Sequence, residues 1–211
     1  MEEKFNRTFE FMLKEYEMLY SKFEMHYNSV EKTIAFYFLI ISAIVSANSF
    51  FINEKTSFSI FYLSDFQIAC CFFIFIVGTV ASLKIIEQRL LIITYVKNLN
   101  QNRKWFNNNV AEGELEKYSL FKTTYRSPKY YKKYRHFYWE IMGVALINSS
   151  FFALFLINLL KFLDLKSSHF YLINWFWFLL ISVLGVYVLF IHYKKRGDAE
   201  EKSLEGRGLE V

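Results

Sequence analysis

Four stretches of the chain contain no Asp, Glu, Lys or Arg: residues 33–53, 66–83, 141–160 and 170–193, which are 21, 18, 20 and 24 residues long. A helix needs about 20 predominantly apolar residues to cross the hydrocarbon core of a bilayer. Because lipid offers no hydrogen-bond partner to backbone amides and carbonyls, each stretch is expected to form a closed helix. The pattern predicts an all-α integral membrane protein with four transmembrane helices.

A different pattern precedes the first stretch. Apolar and aromatic residues recur there at alternating spacings of four and three, while Lys and Glu fill the opposite face. This heptad seam predicts contact with another helix, either within the chain or between subunits. An amphipathic helix lying on the membrane surface is the alternative. The seam residues are the oligomerisation candidates: Phe9, Leu13, Tyr16, Tyr20, Phe23 and Tyr27.

Helical spacing also continues beyond the charge-free stretches. Residues 2–52 contain no Gly or Pro, which predicts one uninterrupted helix about 75 Å long. The second helix is expected to continue to Asn107–Asn109, and Ser127–Pro128 is a typical helix start before the third stretch. We therefore expect a cytoplasmic helical stalk. The predicted segments are an amphipathic helix at 1–32, a transmembrane hairpin at 33–83, a basic helical loop at 84–137, a second hairpin at 138–193 and a tail at 194–211, whose end, 203–211, resembles a cloning remnant.

The charge distribution predicts the orientation. The net charge is +5, and 22 of the 25 Lys and Arg residues lie before the first stretch, between the second and third, or after the fourth. Only three lie in the two short loops. Cytoplasmic loops hold the excess of Lys and Arg. Both termini of this multi-pass protein are therefore expected in the cytoplasm.

Polar residues inside a span are costly unless they are paired or hydrated, so they are candidates for function. In the first span Ser42, Ser46, Ser49 and Asn53 recur at intervals of four, three and four. One interpretation is close helix packing, with the hydroxyls bonded back to their own helix. The other is that these four residues line a weakly selective pore in a ring of identical subunits.

The inside loop holds twelve Lys and Arg against four Glu. These charges hold the loop in the cytoplasm and attract anionic lipid heads. The alternative is a site for an anionic nucleotide or oligonucleotide, with nearby Tyr rings for base stacking. The candidate residues are Arg126, Lys129, Lys132, Lys133 and Arg135.

Nothing in the sequence points to catalysis. The four His residues are scattered, and the chain lacks HExxH, a CxxC pair and GxSxG. The two cysteines, Cys70 and Cys71, are adjacent within the second stretch and cannot staple distant parts of a fold. We therefore expect no enzyme activity, no cofactor and no bound metal.

Three segments resemble known proteins in layout: LKEYEMLYSKFEMHYNSVEK (13–32), EQRLLIITYVKNLNQNRKWF (87–106) and ALINSSFF (145–152). Together with the four spans, they are similar to the small four-helix membrane effectors of bacterial anti-phage defence systems and to a small octameric membrane-protein family. The resemblance spans roughly residues 10–195 and implies membrane permeabilisation by an oligomer. No sensor domain accompanies it.

The sequence-based hypothesis is therefore a homo-oligomeric effector that forms a gated pore or depolarises the inner membrane in anti-phage defence. Its partners would be the lipid bilayer and further copies of the chain. The alternative is a non-conducting scaffold or accessory subunit, or a nucleotide- or lipid-responsive sensor, that docks a cytoplasmic partner protein.

Overall fold

A computed structural model of the chain describes residues 2–53, 60–110, 136–162 and 170–205. These residues form four helices and no strand: α1 (Glu2–Asn53), α2 (Ile60–Asn109), α3 (His136–Phe162) and α4 (Phe170–Glu205). The all-α prediction is confirmed, as is the uninterrupted first helix. The connector and the helix start at Ser127–Pro128 lie outside the described residues.

The predicted end of the second helix at Asn107–Asn109 is also confirmed, because α2 is 50 residues long and ends at Asn109. At this end the Asn109 side-chain amide donates to the Trp105 carbonyl at 2.8 Å, and the Val110 amide donates to the Phe106 carbonyl at 2.9 Å. Asn side chains compete with the backbone for its hydrogen-bonding groups, so a run of three Asn residues favours a helix end.

Three helical segments are long and apolar enough to cross a membrane: Phe5–Ala47, Phe66–Asn109 and Tyr138–Leu160. They overlap the first three charge-free stretches. The fourth predicted span lies in α4, where the side chains of residues 170–176 are outside the described part of the chain.

The described residues divide into two compact units. We call residues 2–30, 87–110 and 195–205 the polar unit, and residues 31–53, 60–86, 136–162 and 170–194 the apolar unit. Three helices, α1, α2 and α4, contribute to both units, whereas α3 belongs to the apolar unit alone.

The polar unit has a mixed interior. Leu19, Val30 and Leu99 are buried, as the hydrophobic effect requires, but Arg89 and Lys97 are each only 1% exposed. Buried cations are costly unless they are paired or packed against aromatic faces, so their surroundings must compensate for the lost hydration.

The apolar unit shows the reverse of a water-soluble bundle. Its interior includes polar side chains such as Asn148 and Ser182, while large apolar side chains point outward. Aromatic pairs join α2 to α3, with ring centroids 4.4 Å apart for Phe75 and Phe152 and 4.9 Å apart for Phe72 and Phe155. The outward side chains are Phe36, Leu39, Phe73, Val80, Leu146, Leu154, Leu179, Val183 and Val188.

Candidate functional site

Three helices of the apolar unit meet at Gly78 of α2. A Cβ atom at this position would overlap the Asn148 side-chain oxygen from α3 and would lie 2.7 Å from the Tyr37 hydroxyl from α1. Tyr37 and Asn148 are both buried, at 0% and 2% exposure. Glycine is therefore required here for a steric reason, because its missing side chain provides the space that two polar groups occupy.

The amide of Asn148 is fixed by α2. As placed, its nitrogen donates to the Thr79 hydroxyl at 3.0 Å, and that hydroxyl donates to the Phe75 carbonyl at 2.8 Å. Exchanging the amide oxygen and nitrogen lets the nitrogen donate to the Phe75 carbonyl at 3.0 Å and the oxygen accept from Thr79. In both orientations Asn148 binds the same turn of α2, so α3 is held to α2 by a polar contact.

A second glycine contact joins α3 to α4. A Cβ atom at Gly185 would overlap the Ser149 hydroxyl, which itself donates to the Ala145 carbonyl at 2.7 Å. A serine of α2 makes the same kind of bond within its own helix: the Ser82 hydroxyl donates to the Gly78 carbonyl at 2.7 Å. Small residues with hydroxyls satisfied by their own helix allow close helix approach without leaving a donor unpaired.

Two buried hydroxyls differ from this pattern. The Tyr37 and Ser182 oxygens have no hydrogen-bond partner among the described residues. The groups around Gly78 are neutral hydroxyls and amides, which donate and accept hydrogen bonds without a formal charge. Within the described ranges, no cluster of three His, Cys, Asp or Glu residues could hold a metal ion.

The predicted pore residues lie elsewhere. Ser42, Ser46 and Ser49 are exposed on the surface of the single chain, away from the buried face of α1 that includes Tyr37. The Ser49 hydroxyl donates to the Val45 carbonyl at 3.0 Å. The side chain of Asn53 is outside the described part of the structure. No contact within the chain brings the three serines together with another polar group of α2, α3 or α4 that the structure describes.

Three of the predicted oligomerisation residues contact α2 in the polar unit. The rings of Phe9 and Phe106 meet edge to face at 5.6 Å. The Arg103 guanidinium donates to the Tyr16 hydroxyl at 3.2 Å and lies 5.8 Å from the same ring. The Arg89 guanidinium lies 5.4 Å from the centre of the Tyr27 ring.

The other seam residues are less enclosed. Leu13 and Tyr20 are exposed, and Phe23 is half-buried between ring contacts with Tyr20 and Tyr27 at 6.1 and 6.2 Å. Phe9, Tyr16 and Tyr27 thus make an internal α1–α2 contact, which is one of the two alternatives that the spacing left open.

Sequence reasoning missed the polar side of this contact. On α2, Arg89, Ile93, Val96, Asn100, Arg103 and Asn107 follow alternating spacings of four and three, which is the spacing of a heptad seam. The helical spacing on α2 predicted only how far this helix extends, so the contacts of the four polar members were missed. The spacing itself was the available signal.

Further polar contacts complete the polar unit. The Lys97 ammonium, 1% exposed, lies 3.2 Å from the Glu201 carboxylate of α4. The Asn102 amide donates to Glu15 at 3.4 Å, and the His26 ring stacks on Tyr95 at 5.3 Å while Nδ1 contacts the Gln88 side-chain oxygen. These contacts join α1 and α4 to the same part of α2.

The predicted anionic-ligand residues, Arg126, Lys129, Lys132, Lys133 and Arg135, all lie outside the described residues. No protein-family model matches the sequence, and comparisons with curated proteins and with solved structures also return no match.

Proposed function

We propose that the chain is a homo-oligomeric membrane protein that forms a gated pore or depolarises the bacterial inner membrane as an effector of anti-phage defence. The observation that supports the conduit most directly is the exposure of Ser42, Ser46 and Ser49 on a helix long and apolar enough to span a membrane. Hydroxyls on the outer surface of a span are best accounted for by a protein partner or by water.

Support for the membrane environment comes from the side-chain distribution of the apolar unit. Val80, Leu146 and Val183 are between 52% and 62% exposed, whereas Asn148 and Ser182 are buried. Water penalises exposed apolar surface, but lipid does not, so this arrangement suits a unit surrounded by acyl chains. We extend the proposal to all four helices, with both termini and a helical stalk in the cytoplasm, because of the distribution of Lys and Arg.

In this arrangement a ring of subunits would turn the three serines towards a common axis. Neutral hydroxyls replace part of the hydration of an ion without a fixed charge, so the conduit would select weakly. Opening would require two states of the subunit contacts, and a signal would act by binding one state more tightly than the other. The signal that we propose is an anionic nucleotide or oligonucleotide bound to the basic loop, or a cytoplasmic partner protein.

The Ser46→Leu variant tests the conduit. Full-length protein in bacterial membranes would be compared with wild type, with a potential-sensitive dye during phage infection and with dye-loaded liposomes after purification. We expect Ser46→Leu to abolish flux while the oligomer persists, because a branched apolar side chain would narrow and dehydrate the pathway.

The matched control is Ser150→Leu, which makes the same change on α3. The Ser150 hydroxyl donates to the Leu146 carbonyl of the preceding turn at 2.9 Å. Flux should survive this substitution. Wild-type flux in Ser46→Leu, or equal loss in both variants, would reject the assignment of the conduit to α1.

A non-conducting scaffold is the second candidate, and one contact favours it. The Ser49 hydroxyl is already satisfied by the Val45 carbonyl at 3.0 Å, so it needs no water. A scaffold would release no dye in liposomes and would not alter the membrane potential during infection, yet it would remain oligomeric and bind a cytoplasmic partner.

A further inference from the structure

The Tyr37 side chain of α1 brings a hydroxyl into the interior of the apolar unit. The side chain is fully buried, and its oxygen has no hydrogen-bond partner among the described residues. This oxygen lies 2.7 Å from the position that a Cβ atom of Gly78 would take, so it faces α2 where that helix has no side chain. An unpaired hydroxyl in an apolar interior is costly, because it loses its hydrogen bonds to water and gains none.

Asn148 of α3 presents a second unused group to the same space. As placed, its amide oxygen lies beside Gly78 and accepts no hydrogen bond from the described residues. After exchange of the two amide atoms, the nitrogen takes this position and donates one hydrogen to the Phe75 carbonyl, which leaves its second hydrogen unused. In either orientation, the Asn148 amide can therefore make a further hydrogen bond beside Gly78.

The two groups do not bond to each other, although both border the space beside Gly78. Polar groups that share a buried space without a direct hydrogen bond are commonly bridged by an ordered water molecule. Water both donates and accepts, so it satisfies the Tyr37 hydroxyl together with either orientation of Asn148. Buried waters in proteins typically make about three hydrogen bonds to groups that would otherwise lack a partner.

The surroundings favour water over an ion or a larger molecule. A larger molecule would have to separate α2 from α3, which are close enough here for the Phe75 and Phe152 rings to stack at 4.4 Å. An ion would lack a countercharge, because a buried ion needs an opposite charge to offset its lost hydration. The buried polar side chains that the structure describes in the apolar unit are all neutral: Tyr37, Ser82, Asn148, Ser149 and Ser182.

We infer that an ordered water molecule binds between Tyr37 of α1 and Asn148 of α3, beside Gly78 of α2. This water joins three helices in the interior of the apolar unit. The inference concerns a single chain and is independent of the proposed pore. It makes the attachment of α1 at this position depend on a hydrogen bond to the Tyr37 hydroxyl.

Tyr37→Phe distinguishes a bound water from an unpaired hydroxyl. With water bound, the thermal unfolding midpoint of the purified full chain in detergent should fall by about 2 to 4 °C, the shift expected when a chain of this length loses one hydrogen bond. If the hydroxyl is unpaired, its removal should raise the midpoint. Tyr187→Phe is the matched control and should change the midpoint little, since Tyr187 is 59% exposed. A Tyr37→Phe midpoint equal to or above that of wild type would overturn the inference.

A direct hydrogen bond between Tyr37 and Asn148 would also lower the midpoint, so a second measurement separates it from a bound water. A density map of the full chain that is detailed enough to show waters should contain a peak about 2.5 to 3.2 Å from both the Tyr37 oxygen and an Asn148 amide atom. The same peak should be missing from the map of Tyr37→Phe. A wild-type map without the peak, including one in which the two side chains bond directly, would reject the water.

Discussion

The side-chain amide of Asn148 on α3 occupies the space beside Gly78 on α2 in which any other residue would place its Cβ atom. The contact brings a polar group into the interior of the apolar unit. It leaves no space for a larger side chain at position 78 of α2. Helix packing in a membrane depends on close contacts of this kind, because lipid tails remove the hydrophobic drive between helices.

Gly78→Ala should therefore destabilise the protein, by about 1 to 3 kcal/mol, because the new methyl group must displace the Asn148 amide. Unfolding of purified protein in detergent, followed by circular dichroism, measures this change. Gly143→Ala is the matched control, since a Cβ there meets no atom within 4 Å. Alanine is the better helix former by about 1 kcal/mol, so Gly143→Ala should be neutral or stabilising.

A second substitution tests whether Asn148 is the residue that makes glycine necessary at position 78. Asn148→Ala removes the group with which the Gly78→Ala methyl collides. The double variant should lose less stability than the sum of the two single losses. Strict additivity would show that Gly78 and Asn148 do not interact.

Tyr16→Phe should weaken the polar unit by about 1 kcal/mol, the typical net contribution of a hydrogen bond, because Arg103 loses its acceptor while the ring remains. Thermal unfolding of Tyr16→Phe and Tyr20→Phe compares the loss of stability at the two positions. Tyr20 lies on the exposed edge of the seam, so the same substitution there should change stability less. An equal effect at both positions would contradict the Tyr16–Arg103 contact.

Glu201→Gln should destabilise the polar unit more than a surface substitution does. It removes the carboxylate that neutralises Lys97, which is almost fully buried. Breaking a buried ion pair costs roughly 3 kcal/mol, and the partial exposure of Glu201 reduces that figure. Glu200→Gln is the control, because Glu200 is exposed. The denaturation midpoint of each variant measures the change. Equal midpoints for Glu201→Gln and Glu200→Gln would contradict the ion pair.

The orientation of the chain in the membrane can be tested by cysteine labelling. In a background without Cys70 and Cys71, cysteines at Glu10 and Lys202 should react with a membrane-impermeant maleimide only after the inner membrane is opened, because 22 of the 25 Lys and Arg residues predict a cytoplasmic location for both termini. A cysteine at Lys55 should react in intact spheroplasts. The reverse labelling pattern would show the opposite orientation.

The local pattern of the sequence determined the helices. Residues 2–53 contain neither Gly nor Pro, so nothing interrupts α1, and the Asn107–Asn109 run marks the end of α2. Both features act within a few residues along the chain, through backbone hydrogen bonds and side-chain competition for them. For that reason they can be read without knowing which helices are neighbours.

Only the tertiary structure decided which residues meet. The heptad spacing of Phe9, Tyr16 and Tyr27 predicted a helix partner, but Arg103 and Arg89 of α2 identify that partner as part of the same chain. Likewise, Gly78 and Asn148 are seventy residues apart, and their steric dependence arises only when α2 and α3 pack together. Periodicity fixes the face that a helix presents, whereas the identity of its neighbour depends on packing energies summed over the whole chain.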